Sequence, residues 1–126
     1  MSFDWLLYIK MTEKLLRRKP KGMEEAYLRT AISRAYYGIF GRLRQDLETR
    51  GFKFPGNRNI HQELIKKLKA SSDTSELQAG VQLDRLRRER NSADYDANAY
   101  FDQTRARKAK ILAGEINQWL ARDPGD

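Results

Sequence analysis

The stretch LRTAISRAYYGIFGRLRQDL, Leu28 to Leu47, has the spacing of one long helix with a continuous apolar face. Glu24 and Glu25 precede it, where the helix dipole favours negative charge, and Gly51 follows as a typical helix end. The sequence therefore predicts a long central helix. Its apolar side chains recur at three- and four-residue steps, which is the period of a helix, and they are Leu28, Ala31, Ile32, Ala35, Tyr36, Ile39, Phe40, Leu43 and Leu47.

Two glycines, Gly38 and Gly41, interrupt this predicted helix. Each costs about 1 kcal/mol relative to alanine in a helix interior. A close contact with another helix would compensate, because the missing side chain lets two backbones approach. We therefore expect such a contact, and the pair is one reason to predict a homodimer.

Two shorter amphipathic segments flank the long helix. The first runs from about Phe3 to Arg18 and is stopped by Pro20, which cannot continue a helix. The second follows the polar loop RGFKFPGNRN, residues 50–59, and Asn59 is its predicted N-cap. Both have apolar residues at helical spacing, so both are expected to bury one face.

Two more helical patterns follow. In and after SSDTSE, residues 71–76, Asp73 with Glu76 and Ser75 with Gln78 each have the spacing of a capping box, in which each side chain bonds a backbone amide, so a fourth helix is predicted to start there. With no repeat and no strand-like alternation, the chain predicts a single all-α domain over residues 1–126, an antiparallel up-down bundle of four to five helices. The last helix is expected to end before Pro124 and to carry one apolar face, formed by Phe101, Ala109, Leu112, Ile116, Trp119 and Leu120.

Composition excludes several kinds of site. Cysteine is absent and His61 is the one histidine, so no disulfide, thiol nucleophile, metal centre or cofactor is expected, and a reducing cytoplasm is the expected location. The apolar run from Trp5 to Ile9 is too short for a signal peptide or membrane span, so no membrane association is expected. Lys and Arg outnumber Asp and Glu by 25 to 17, which favours a polyanionic partner such as RNA or DNA.

The stretch RRERNSADYD, residues 87–96, contains an arginine where the fourth helix should bury an apolar side chain. Leu83 and Leu86 belong to the apolar stripe, and the same spacing continues to Arg90. A guanidinium keeps its proton and is costly to bury without a partner. Two interpretations stay open. Arg90 pairs with Asp94 four residues on, or it is available for a phosphate, whose oxygens match its forked donors.

Three motifs in this order resemble the HEPN superfamily: AISRAYYGIF on the long helix, His61 opening the third helix and RNSADYD closing the fourth. More closely, the chain resembles the small single-domain prokaryotic branch often encoded beside a minimal nucleotidyltransferase, and the resemblance covers nearly the whole chain. It implies a homodimer with a shared cleft and, in active relatives, metal-independent RNA cleavage by an arginine and a histidine. It also implies a nucleotidyltransferase-type antitoxin partner in a toxin–antitoxin or defence system.

The chain departs from this family pattern at the position of the histidine. Tyr95 stands five residues after Arg90, and the alternative alignment places Ala93 there. We therefore expect an RNA- or nucleotide-binding protein, with an active metal-independent endoribonuclease as the alternative and a structural adaptor as a third possibility. Cleavage requires a base, an acid and a cation for the charge that grows on phosphorus. The catalytic candidates are Arg90, Asp94, Tyr95 and His61.

Further candidates for RNA or nucleotide contact adjoin this arginine. Tyr37 points about 100° away from the core stripe, where it could stack on a base or pack at an interface, and Arg34 lies three residues earlier. Arg88 and Asn91 complete the predicted binding set, whereas Arg87 is expected on a wetter face. The long loop before the third helix argues against a DNA-reading helix-turn-helix.

Two basic segments lie outside these motifs. They are the run RARKAK, residues 105–110, and the lysines Lys66, Lys67 and Lys69. Most such segments are solvated helix faces, and this is the expectation for both. A track for phosphates is the secondary hypothesis, which predicts that binding weakens with salt.

Overall fold

A computed structural model describes residues 2–56 and 59–121. Within these ranges the chain forms five helices and no strand, so the predicted all-α bundle is confirmed. None of the described helices is both long and apolar enough to span a membrane. The predicted end of the last helix near Pro124 lies outside the described residues. The helices are α1 Leu6–Arg17, α2 Glu24–Thr49, α3 Ile60–Lys69, α4 Thr74–Tyr95 and α5 Gln103–Ala121.

Helix α2 is the central element of the bundle. It packs against α1, α4 and α5, while α3 packs against α4. All nine residues of its predicted apolar stripe are buried. Each side chain removed from water in this way contributes about 25 cal/mol per Å² of apolar surface. The stripe therefore fixes α2 at the middle of the core, with α4 on one of its sides.

Gly38 and Gly41 face α1 of the same chain. A Cβ atom at Gly38 would lie 2.8 Å from Cγ1 of Ile9, and one at Gly41 would lie 2.1 Å from the indole of Trp5. The predicted close helix contact is therefore confirmed, and it is made within one chain. The two glycines consequently give no support to a homodimer, which rests on the family resemblance alone.

The helix ends follow the sequence in part. The Asn59 side chain accepts hydrogen bonds from two amides of α3, at 3.0 and 3.3 Å, and Asp73 caps α4 at 2.8 Å. The other half of the predicted capping box is wrong. Glu76 accepts instead from the Ser71 hydroxyl and the Arg50 guanidinium, at 2.6 and 2.7 Å. A charged donor forms a stronger hydrogen bond with a carboxylate than a backbone amide does.

Phe101 is buried but precedes α5, so its predicted place on the last helix is wrong. The Asp102 side chain accepts the amide hydrogen of Arg105 at 2.8 Å, in the manner of an N-cap, and the helix starts after it. The Phe101 ring lies between helices, 4.7 Å from the guanidinium carbon of Arg29 and 4.0 Å from that of Arg105. The loop thus contributes a core aromatic that helical spacing assigned to α5.

Candidate functional site

The part of α4 that carries Arg90 lies against the aromatic face of α2 and the first turn of α3. Five side chains meet there, and we call them the Arg90 cluster: Tyr36, Tyr37, Phe40, His61 and Arg90. Three helices contribute to it. Its geometry therefore depends on how the whole bundle packs.

Arg90 is buried, with 5% of its surface exposed. Its guanidinium carbon lies 5.0 Å from the ring centre of Tyr36 and 5.2 Å from that of Tyr37, within the range of cation–π attraction. One Nη atom is 3.8 Å from the Asp94 carboxylate, which is an ion pair too long for a hydrogen bond. The Nε atom is buried and has no hydrogen-bond partner among the described residues. The predicted pairing with Asp94 is present, but it leaves donor capacity unused.

Asp94 stands at the solvent edge of the cluster. Its side chain is 25% exposed, and its Oδ2 atom accepts a hydrogen bond of 3.3 Å from the Ser33 hydroxyl of α2. The same oxygen is the one closest to Arg90. One carboxylate oxygen therefore connects α2 to α4 and positions the guanidinium.

His61 is half-buried and packs among aromatic rings. Its ring stacks on that of Phe40, with centroids 4.2 Å apart, and its edge faces Tyr37 at 6.0 Å. Its Nδ1 atom is 2.6 Å from the Tyr36 hydroxyl. Because a phenol can donate or accept here, the proton of Tyr36 and the tautomer of His61 are coupled.

The surroundings keep His61 uncharged at neutral pH. Burial and the positive charges of Arg90, Arg87 and Arg44 lower its pKa from 6.5 to about 4. Burial raises the pKa of the Tyr36 hydroxyl well above its usual value, and the neighbouring cations only partly oppose this. At neutral pH the cluster therefore combines a neutral imidazole, a protonated phenol and a permanent cation.

Arg87 adds a second cation, three residues before Arg90. Its positive charge acts to lower the pKa of both Tyr36 and His61. Its Nε atom is buried, and within the described residues it has no hydrogen-bond or ion-pair partner. Arg87 was expected on a wetter face, and it is partly exposed there, because α3 packs on this side of α4 and covers part of it.

Tyr37 is held between cations. The guanidinium carbon of Arg34 lies 5.1 Å from its ring centre and 5.0 Å from that of Tyr8, and Arg90 lies 5.2 Å from Tyr37. Arg34 also donates to the Ser33 hydroxyl at 3.4 Å. The predicted neighbourhood of Arg34 and Tyr37 is therefore confirmed. The ring is partly exposed, and its packing among two guanidinium groups joins α1 to the cluster.

Other predicted site residues stand apart from the cluster. Arg88 is exposed and contacts Asp84, 3.4 Å from its backbone oxygen and 3.9 Å from its carboxylate. Tyr95 is 77% exposed, and no hydrogen bond or ring contact with another described residue attaches it to the cluster. Asn91 is partly exposed. The predicted residues that do meet at Arg90 are Tyr37, His61 and Asp94, with Arg34 behind Tyr37.

Sequence reasoning missed part of this site. Helical spacing assigns Tyr36 and Phe40 to the core, and it gives no sign that both rings also border a cation. For Arg87 a signal exists. It precedes Arg90 by three residues, and residues at that spacing share one face of a helix.

Within the described residues, no group of three or more His, Cys, Asp and Glu side chains could hold a metal ion. No protein-family model matches the sequence, and searches of curated proteins and of solved structures found no match. Support for a function therefore comes from the geometry of the Arg90 cluster and from the three motifs.

Proposed function

We propose that the protein binds RNA or a nucleotide through a phosphate group at the Arg90 cluster. The observation that carries the proposal is the pair Arg87 and Arg90, whose buried Nε atoms have no hydrogen-bond partner within the described residues. Guanidinium donors match the oxygens of a phosphate, and the attraction grows as water is excluded. The net charge of +8 attracts a ligand of this kind.

Arg87 is the more accessible of the two cations and would make the first contact with the phosphate. Arg90 would follow by exchanging its 3.8 Å ion pair with Asp94 for a direct hydrogen bond to the ligand. The neutral His61 adds no charge, but its imidazole can hydrogen-bond a phosphate oxygen or a base. Binding thus needs a small rearrangement at the solvent edge of the cluster.

The positions of the motifs support a HEPN-like assignment. AISRAYYGIF lies on α2, His61 lies in the first turn of α3, and RNSADYD closes α4. All three segments contribute to or border the Arg90 cluster. On the resemblance alone, the proposal extends to a homodimer that acts with a nucleotidyltransferase-type antitoxin in a toxin–antitoxin or defence system; its cytoplasmic location is proposed from the absence of cysteine.

Arg90→Met tests the proposal, because methionine keeps an unbranched side chain against Tyr36 and Tyr37 but carries no charge. We expect affinity for uridine 5′-monophosphate and for oligouridylates to fall by about tenfold or more, which is about 1.4 kcal/mol. The free energy of unfolding should change by about 1 kcal/mol or less, since Asp94 stays solvated. Calorimetric titration and urea denaturation measure the two quantities.

Arg85→Met is the matched control, since Arg85 is exposed on the same helix. It removes the same charge and should leave the affinity nearly unchanged. Equal affinities for the wild type and a folded Arg90→Met protein would contradict the proposal. The same holds if the wild type shows no affinity at physiological salt, which is the behaviour of a structural adaptor.

A second candidate function is metal-independent RNA cleavage, favoured by the neutral His61, which like Arg90 contacts Tyr36. The imidazole would take the proton of the 2′-hydroxyl as its oxygen attacks phosphorus. The bond from phosphorus to the 5′ oxygen breaks, and an acid returns a proton to that oxygen. A pKa of about 4 makes His61 a weak base, so binding ranks above cleavage.

Incubation with RNA in EDTA separates the two functions. Cleavage that leaves 2′,3′-cyclic phosphate ends, and disappears in both Arg90→Met and His61→Asn, would establish the ribonuclease. Binding without such cleavage would leave the first proposal standing by itself.

A further inference from the structure

A groove between α3 and α4 continues from the Arg90 cluster. It is an open depression with a volume of about 510 Å³, and ligand pockets typically measure about 300 to 1,000 Å³. Arg87 belongs to both regions, because it lines the groove and its charge reaches His61. Gln62, the residue after His61, lines the groove as well. The groove and the cluster therefore form one continuous surface.

The groove carries an excess of positive charge. Three cations line it, Lys66, Lys69 and Arg87, against the single carboxylate of Asp84. Lys69 donates to that carboxylate at 2.8 Å. Lys66 and Arg87 form no ion pair within the described residues. Two of the three cations thus have no ion-pair partner there, although the Asp84 carboxylate also lies within electrostatic reach of Arg87.

Several basic side chains outside the groove are paired or covered. Lys67, on the same helix as the groove lysines, lies over the Phe52 ring at 5.0 Å. In the basic run of α5, Arg107 and Lys110 both pair with Glu13 of α1, whereas Lys108 is exposed. What distinguishes the groove is that Lys66 and Arg87 line one concave surface beside the Arg90 cluster.

We propose that this groove holds the phosphodiester backbone of a single-stranded nucleic acid, with an adjoining phosphate at the Arg90 cluster, so that the ligand is an oligonucleotide. The inference rests on the proposed function, because that cluster supplies the first phosphate contact. Lys66 and Lys69 are three residues apart, as are Arg87 and Arg90, which places the Cβ atoms of each pair about 5 to 6 Å apart. Such a row of cations can reach successive phosphates.

The burial of Arg90 favours a single strand. A phosphate must reach a guanidinium that is 5% exposed, and a flexible single strand can bend to do so, whereas duplex DNA is stiff over about 50 nm. Nothing in the lining distinguishes ribose from deoxyribose, so the shared chemistry is the phosphodiester chain. Oligouridylates and oligothymidylates of equal length are therefore the two probes.

The first experiment measures anisotropy of labelled strands of increasing length with the wild type and with Lys66→Ala. Affinity of the wild type should rise with strand length beyond one nucleotide. Lys66→Ala should weaken strand binding several-fold and lower the log–log salt slope by about 0.7, the value for one phosphate of a single strand. Its affinity for uridine 5′-monophosphate should not change. Lys108→Ala on α5 is the control of equal charge.

The second experiment looks for a gain of affinity, because a folding defect in the variant would lower the affinity and not raise it. Asp84→Asn removes the groove's carboxylate and releases Lys69. Strand affinity should increase several-fold, and mononucleotide affinity should increase less, because the carboxylate also lies within electrostatic reach of Arg87. Glu115→Gln on α5 removes the same charge from an exposed position away from the groove and should have little effect.

The outcomes separate this inference from the proposed function. If strands bind no tighter than the mononucleotide, and the binding of both depends on Arg90, the groove is not a binding site but the proposed function stands. If strand binding depends on Lys66 but not on Arg90, the groove binds the strand but the Arg90 cluster does not bind a phosphate. Equal responses of Lys66→Ala and Lys108→Ala would also overturn the groove. Either RNA or DNA as the tighter strand supports it.

Discussion

Two arginines that reach between helices have opposite surroundings. Arg29 of α2 donates to the backbone oxygens of Ala93 and Ala99, at 2.9 and 2.7 Å, and lies over the ring of Phe101. Arg90 of α4 has two aromatic rings, a carboxylate at 3.8 Å and an Nε atom without a partner among the described residues. A guanidinium saturated by its own chain holds the fold together. One that is incompletely bonded can accept an anion from outside.

The difference follows from what lies within reach of each side chain. Arg29 points to the end of α4, where the last carbonyl groups of a helix have no partner within it. The Ala93 oxygen at this helix end and the Ala99 oxygen of the following loop accept its hydrogen bonds, and the helix end benefits from its charge. Arg90 lies inside the helical part of α4 and faces aromatic rings, where its acceptors are the Tyr36 hydroxyl and, at 3.8 Å, the Asp94 carboxylate. The aromatic face of α2 therefore leaves this guanidinium incompletely bonded.

The largest expected effect in this comparison is on stability, at Arg29. Arg29→Met should lower the free energy of unfolding by about 2 to 4 kcal/mol, because it breaks hydrogen bonds from a charged donor and leaves carbonyl groups unpaired. Urea denaturation measures the loss. Affinity for uridine 5′-monophosphate should be unchanged in the folded fraction. A loss of less than about 1 kcal/mol would show that Arg29 and Arg90 do not differ as described.

His61 gives a second way to sharpen the comparison, because its pKa reports the cations around it. The unfolded chain takes up the proton near pH 6.5 and the folded chain near pH 4, so stability falls as the pH drops between these values. For a half-buried ring we expect a loss of about 1 to 2 kcal/mol. Thermal unfolding at a series of pH values measures it.

His61→Gln should remove this pH dependence above about pH 5, where most carboxylates stay ionised. Arg90→Met should raise the pKa of His61 towards 6.5, as seen by NMR titration, since the charge of Arg90 is the first cause after burial. Arg29→Met should leave that pKa unchanged. A His61 pKa near 6.5 in the wild type would refute this account of the cluster.

The smallest effect concerns Arg105, the second cation over Phe101. It binds both oxygens of Glu89, at 2.7 and 2.8 Å, but both side chains are partly exposed. A double-mutant cycle of Arg105→Gln and Glu89→Gln should therefore give a coupling of about 0.5 to 1 kcal/mol. The coupling should decrease in high salt. A much larger value would show that this surface pair, like Arg29, contributes strongly to the stability of the packing around Phe101.

The sequence predicts much of the fold, but it predicts less of the candidate site. The period of the apolar residues predicted α2, and Asn59 and Asp73 predicted the starts of α3 and α4, because such patterns depend on near neighbours in the chain. Two predictions are wrong. Glu76 binds Ser71 and the distant Arg50 instead of the helix end, and Phe101 precedes α5 because Asp102 caps that helix. The homodimer and the nucleotidyltransferase-type partner remain predictions.

The sequence by itself determined that the chain forms helices, which faces of them are apolar, and that an arginine occupies a core position at residue 90. These properties follow from local periodicity and residue chemistry. The tertiary structure decided what surrounds that arginine. It brought Tyr36, His61 and Arg87 together from three helices. It also placed the guanidinium of Arg90 against aromatic rings and not against backbone carbonyl groups. The reason is that helix packing sets the distances between residues far apart in the chain.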